Sequence, residues 1–331
     1  MKVGPKANNL RCPRGIAHSR RKRSRRLPAS GFVTKLSPLN PMNTMKIAEQ
    51  AAVKQTVSEA TSPTAINALR AHWQEYLIEA AGLGLFMMSA CGFTVLLEHP
   101  ASVVRQAISS SLLRRLLIGV AMGLTSILLV YSPWGKQSGA HFNPSTTLTF
   151  FRLGKIEAWD VAFYVLAQFL GGLSGVMLAA WCLGGAITQE MVHFAATLPG
   201  PKGTGLAFVA EVVISFLMMT TVLNVSNSPG IARFTGVMAG ALVATYITLE
   251  SPISGMSMNP ARTLASALPA RLFNALWIYF TAPPIGMMLA AEVYLRTRGK
   301  QKVFCAKLHH DNDKRCIFRC NYAQIASHIT N

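Results

Sequence analysis

The sequence predicts an all-α membrane protein of six transmembrane helices plus two re-entrant half-helices, arranged as an inverted repeat. Three observations carry the prediction: six apolar runs near spanning length, basic residues confined to the two ends, and a short motif that occurs twice. Residues 76–97, 161–183, 206–225 and 272–291 each hold about twenty or more residues with at most one carboxylate, the length a helix needs to cross roughly 30 Å of hydrocarbon. Of the 331 residues 51% are hydrophobic and 14% charged, which alone fits a soluble core equally well, so the runs decide the class.

Taken in order, residues 1–70 carry 14 Lys/Arg against 2 acids and include "SRRKRSRRL". This composition cannot bury a core, and a disordered basic segment is expected. A transit peptide, a polybasic segment drawn to anionic lipid and a nucleic-acid tail all fit it, and Met1, Met42 and Met45 are all candidate start sites. The membrane region is expected over 71–296, beginning with the 76–97 run. The second and fifth runs, 116–131 and 234–249, are shorter. Each follows arginine (Arg114 and Arg115; Arg233) whose stem can snorkel to the interface. Residues 71–295 are nearly neutral, with 10 basic against 9 acidic residues, whereas 296–331 carry 8 against 2. The net charge of +19 thus sits in the tails and is not a nucleic-acid signal. Six spans put both tails on one side, and positive flanks mark that side as cytoplasmic.

The repeated motif is "SGAHFNPSTTL" at 138–148 and "SGMSMNPARTL" at 254–264, identical at six of eleven positions. Three spans per half, an odd number, turn the second copy upside down relative to the first. After each Asn-Pro the chain is short and moderately apolar, about ten residues, too few to cross a bilayer, so each copy reads as a half-helix dipping in from one face. Asn143 and Asn259 suit the cap position, accepting from a free first-turn N–H. Pro144 and Pro260 lack the N–H that would go unpaired at the next position. Two inverted starts meeting near the midplane aim two positive dipole ends and two carboxamides at one spot. A file of water there is polarised outward both ways while a cation or hopping proton meets a barrier.

On these residues the chain resembles the aquaporin, or major intrinsic protein, family over about 71–296. The paired boxes match Asn143-Pro144-Ser145 and Asn259-Pro260-Ala261. The glutamates of helices one and four match Glu79 in "YLIEAAGLGLF" and Glu211 in "FVAEVVISFLM", and "Q..GG" matches Gln168 with Gly171 and Gly172. "WIYFTAPPIG" (277–286) is similar to the sixth helix of water-type members. The resemblance implies a passive channel for water or small uncharged solutes that excludes ions and protons, with a glycerol or other neutral-solute facilitator as the alternative. It further implies a homotetramer with one pore per subunit in a lipid bilayer, the plasma (inner) membrane, both termini cytoplasmic, and no cofactor. Glu79, Glu211 and His141 are expected to support the loops. Ser145 replaces the family's usual Ala, as a small-for-small swap able to bond its own helix or as a change of permeability.

By the same resemblance Arg262 belongs to a filter near the outer mouth with Met122, Ile247 and Met256; Gly123 rivals Met122, and Tyr246 and Thr248 flank Ile247. Thioethers and a branched alkyl group supply no donor, so this filter is expected to be less polar than that of a strict water channel. Thr263, Tyr279 and Phe280 point back to the water type. An ion-coupled transporter would need titratable groups on its path, where only Glu79 and Glu211 qualify. No metal-ligand pair within a span, Ser-His-Asp set or phosphate loop suggests an enzyme. Six cysteines imply no secreted disulfide framework. The basic Cys/His-containing tail, 297–331, holds Cys305, His309, His310, Cys316 and Cys320; Cys305, His309, Cys316 and Cys320 are weak candidates for a soft metal or a thiol switch, on a spacing that matches no zinc motif.

Overall fold

The structure is a computed structural model that describes residues 64–310 and 312–322. The expected basic segment up to residue 63, with Met1, Met42, Met45 and Cys12, lies outside the described residues. Those described fall within one unit, Thr61–Asn331. Six helices among them are long and apolar enough to cross a membrane. They are α1 (Ala65–Glu98), α2 (Ser111–Tyr131), α4 (Ala158–Leu183), α5 (Thr204–Ser226), α6 (Thr235–Leu249, which reaches 18 residues with the 3-10 turn Ala232–Phe234 before it) and α8 (Leu276–Arg298). The two half-helices are α3 (Pro144–Arg152) and α7 (Pro260–Ala270).

α1 starts six residues ahead of the expected boundary at 71, where the Thr64 hydroxyl caps the Asn67 N–H. Its 34 residues run to about 50 Å at 1.5 Å per residue, so its first turns extend beyond the hydrocarbon. The sixth span begins at Leu276, not at 272 as the apolar run suggested. Leu272 N–H still bonds to Ala267 O, and Arg271 and Ala275 take left-handed φ of 54° and 59°, so 271–275 form the turn out of α7.

Lipid tails are as apolar as leucine, so helices associate in a membrane through close packing and hydrogen bonds. Leu128, Leu166, Leu170, Leu217 and Leu289 accordingly face outward. The spans pair α1 with α4, α5 with α8 and α2 with α6, the first two pairs corresponding under the repeat. A Cβ on Gly171 or Gly175 would overlap the backbone of Ala80 or Gly84, and one on Gly286 that of Val212, so both pairs close through glycine. The half-helices cross over: α3 packs on α8, and α7 on α4. Each half therefore closes around the other's re-entrant segment, which brings the two Asn-Pro boxes together.

Candidate functional site

Each half-helix begins as its sequence dictates. Asn143 and Asn259 have extended φ/ψ, and their Oδ1 atoms accept from Ser145 N (2.9 Å) and from Ala261 N and Arg262 N (3.0 and 3.2 Å). The amide nitrogens reach across. Asn143 Nδ2 donates to Met258 O (2.7 Å), and Asn259 Nδ2 donates to Phe142 O (2.8 Å), so each carboxamide holds the other loop's backbone. A carboxamide has two N–H donors, which leaves one on each Asn after this exchange.

The loops before the boxes are held in strained backbone, and in the same way in both halves. Gly139 and Gly255 take φ of 95° and 81°, where glycine alone is unstrained. Ala140, Phe142, Met256 and Met258 follow with φ of 46° to 57°, each costing about 1–2 kcal/mol for an L-residue. Two buried carboxylates hold this conformation. Glu79 accepts from Ser138 Oγ (2.7 Å), His141 N (3.0 Å), Phe142 N (2.5 Å) and Gln168 Nε2 (2.8 Å). Glu211 accepts from Ser254 Oγ (2.7 Å), Ser257 N (2.7 Å) and Met258 N (2.8 Å). Tyr164 and Tyr279 complete the correspondence by donating to Ser138 O and Ser254 O. The Tyr164 part of this frame was not anticipated from sequence, although the parallel spacing of Ser138 to Tyr164 and Ser254 to Tyr279 was a usable signal.

A cavity of about 360 Å³ passes both boxes and is lined by Asn143, Asn259 and His141, with Leu308 at the tail side and Thr94 and Arg115 toward the other end of α1. Met122, Ile247, Met256 and Arg262 all line it. Gly123 instead faces the Gly240 backbone between α2 and α6, so of the two register candidates Met122 is the one beside the cavity. Tyr246 and Thr248 do not line the cavity, and neither do Glu79, Glu211, Thr263, Tyr279 or Phe280. Arg262 lines the cavity, and its buried Nη1 has no hydrogen-bond partner among the described residues. Ser145 is fully buried away from the cavity, and its Oγ is also without a partner among the described residues. The bond to its own helix expected of the hydroxyl is not made; Thr149 Oγ1 takes Ser145 O instead.

His141 does more than support its loop. Its ring is sandwiched between Phe150 and Phe318, with centroids at 5.1 and 5.4 Å, and Nε2 donates to Ala306 O (2.9 Å). Phe318 and Ala306 belong to the carboxy-terminal tail, which packs at this mouth. Leu308 N–H donates to Gly139 O, Arg315 pairs with buried Glu75 and Arg319 with Glu157. These carboxylates hold both guanidinium groups above their ordinary pKa. The tail cluster that forms is Cys305, His310, Cys316 and Cys320, with His310 in place of the expected His309. Consecutive side chains of an extended segment point opposite ways, and the His309 ring packs edge-on against Tyr131 instead.

Comparisons with known proteins agree with this geometry. Residues 66–294 match the family model described as Major intrinsic protein. A probable aquaporin NIP-type of Nicotiana alata is 31% identical over 231 residues, 69% of this chain and 79% of its own. A glycerol uptake facilitator protein-like 6 of Lactiplantibacillus plantarum is 34% identical over 209 residues, 60% of this chain and 87% of its own. Among solved structures, the aquaglyceroporin from Plasmodium falciparum aligns with a TM-score of 0.59 at 19% identity, covering 70% of this chain and 98% of that one, a likeness of fold.

Proposed function

The chain belongs to the major intrinsic protein family, and from that premise we propose that it is a passive channel for water and small uncharged solutes such as glycerol, closed to ions and protons. The observation that carries the reading is the reciprocal exchange between Asn143 and Asn259, which leaves one donor on each carboxamide beside a single cavity. Two half-helix starts add positive dipole ends at the same place. A neutral solute that accepts hydrogen bonds is stabilised there, and a cation is repelled. Glu79 and Glu211 are taken up by loop N–H groups and stand off the cavity, and Glu98, the carboxylate that does line it, is paired with Arg114, which favours a passive pore over an ion-coupled carrier.

Met122, Ile247, Met256 and Arg262 act as the selectivity filter. The marks of a water-type member, Thr263, Tyr279 and Phe280, are not among the cavity-lining residues. What a solute meets is two thioethers, a branched alkyl group and one guanidinium, which suits a solute with an apolar side and hydroxyls, as glycerol has. The subunits assemble as homotetramers in the plasma membrane with both termini cytoplasmic. The pairing of Arg315 with Glu75 near the start of α1 supports one side for both ends of the channel.

Stopped-flow swelling of proteoliposomes tests the reading. Water and glycerol are both expected to cross faster than through protein-free vesicles, with no proton leak or cation current. Flux equal to that of lipid alone, or a pH-dependent current, removes it.

A further inference from the structure

Among the described residues between Gly299 and Asn321 the regular structure is a short 3-10 turn at Lys300–Lys302, yet Val303, Cys305, Ala306 and Lys307 are each at most 3% exposed. So short a segment lacks the apolar content for a core of its own, and segments of this kind are usually stapled by disulfides or a metal. The cysteines here are free thiols. The ligand atoms of Cys305, His310, Cys316 and Cys320 nevertheless all lie within 4.8 Å of one another. Cys305 Sγ is 3.5 Å from Cys316 Sγ, and Cys320 Sγ is 3.0 Å from His310 Nε2. Tetrahedral zinc, with bonds of about 2.3 Å to sulfur and about 2.0 Å to nitrogen, separates its ligands by about 3.5–3.8 Å. The four groups need only small rotations to reach that geometry.

We propose that Cys305, His310, Cys316 and Cys320 form a closed Cys3His site for a zinc-class divalent cation, which staples the tail onto the mouth of the pore. Three soft sulfurs and one imidazole select zinc over oxygen-seeking cations, and four protein ligands leave no open position, as in structural sites. A second observation agrees. Lys155 and Lys307 are both buried beside the cluster and make no ion pair among the described residues. Lys307 Nζ donates to the carbonyls of Lys314 and Arg315, and Lys155 Nζ to that of Arg319, on the strand of tail that carries Cys316 and Cys320. Three thiolates around a divalent ion leave one net negative charge, which offsets part of the positive charge of the two buried ammonium groups.

The site also bears on transport, a consequence that rests on the channel reading. Cys305 and His310 bracket Ala306, which accepts from His141, and Leu308, which lines the cavity. Phe318, stacked on His141, lies between Cys316 and Cys320. An ion on the four ligands therefore fixes the segment that carries Leu308 at this mouth, and its loss frees that segment.

Metal content of the untagged full-length protein in detergent, by mass spectrometry, tests the site without transport. One zinc per chain is expected in the wild type and in His309→Ala, with loss in His310→Ala and in the Cys316→Ser/Cys320→Ser double variant. Cobalt added to the chelated protein should give a thiolate-to-metal charge-transfer band. Substoichiometric metal with no cobalt band, retention in His310→Ala alongside loss in His309→Ala, or a Cys305–Cys316 disulfide in unreduced protein would each overturn the proposal. In vesicles, a zinc chelator should raise glycerol flux about twofold or more by freeing a gating segment, with no effect on the double variant. Bound zinc with unchanged flux on chelation overturns the link to the pore and leaves the site standing, whereas absent flux in every condition counts against the channel reading alone.

Discussion

Ser145, the third residue of the first Asn-Pro box, carries a hydroxyl that is buried without a partner among the described residues, beside an Asn whose amide oxygen is taken up by the Ser145 N–H. An unsatisfied buried hydroxyl costs about 1–3 kcal/mol, and alanine of nearly the same shape removes that cost. Ser145→Ala is therefore expected to raise the thermal midpoint in detergent with water and glycerol fluxes unchanged. A fall in either flux would show that the hydroxyl serves the pore. The outcome at Met122 should be opposite in kind. Its side chain lines the cavity, so Met122→Phe replaces a flexible thioether with a rigid ring at the cavity wall. Each ~1.4 kcal/mol that the ring adds to a solute's barrier lowers its rate about tenfold, and glycerol, the larger solute, should lose more than water. Comparing the two fluxes in the same vesicles reads this directly. Both residues were singled out from sequence, but their neighbours were not: the absence of a bond at Ser145 and the choice of Met122 over Gly123 follow from how the helices rotate against one another.

The two halves reach the same solution at the level of helix pairs with different sequences. α1 and α4 meet at Gly84, Gly171 and Gly175, and α5 meets α8 at Gly286, because backbones can approach closely only where no Cβ intervenes. Gly171→Ala places its methyl on the Ala80 backbone and should lower the thermal midpoint, at an overpacking cost of about 1–3 kcal/mol. Gly92 on the same α1 has open space around it, so Gly92→Ala should be neutral or slightly stabilising, a matched control. The spans, their order and the half-helix starts were legible in the chain because each depends on residues a few positions apart. The sixth span's start was misjudged by four residues, since hydrophobicity continues through a turn that Arg271 and Ala275 define by left-handed backbone.

Across the whole molecule the tail is the least expected part, since its sequence reads as loose and basic while the structure packs it against the pore mouth. Glu75 is fully buried and takes Arg315 on both oxygens, with Gln137 as a further donor. Removing one partner of a buried pair costs about 3–5 kcal/mol, reduced here because Arg315 is half exposed. Arg315→Ala should therefore loosen the tail without disturbing the spans. Limited proteolysis is expected to cut beyond residue 299 faster than in the wild type, with the thermal midpoint of the channel little changed. Equal cutting rates would show that other contacts hold the tail.

By itself the sequence determined six spans, the inversion of one half on the other, and two capped half-helices, because span length, residue count and capping chemistry are properties of local stretches. Tertiary structure alone decided which side chains face the cavity, that His310 joins the thiols and that the tail closes on His141. The closure of the tail rests on hydrogen bonds between residues 165 and 240 positions apart, and no local pattern encodes which way a packed helix turns its face or where a basic tail finds its acid.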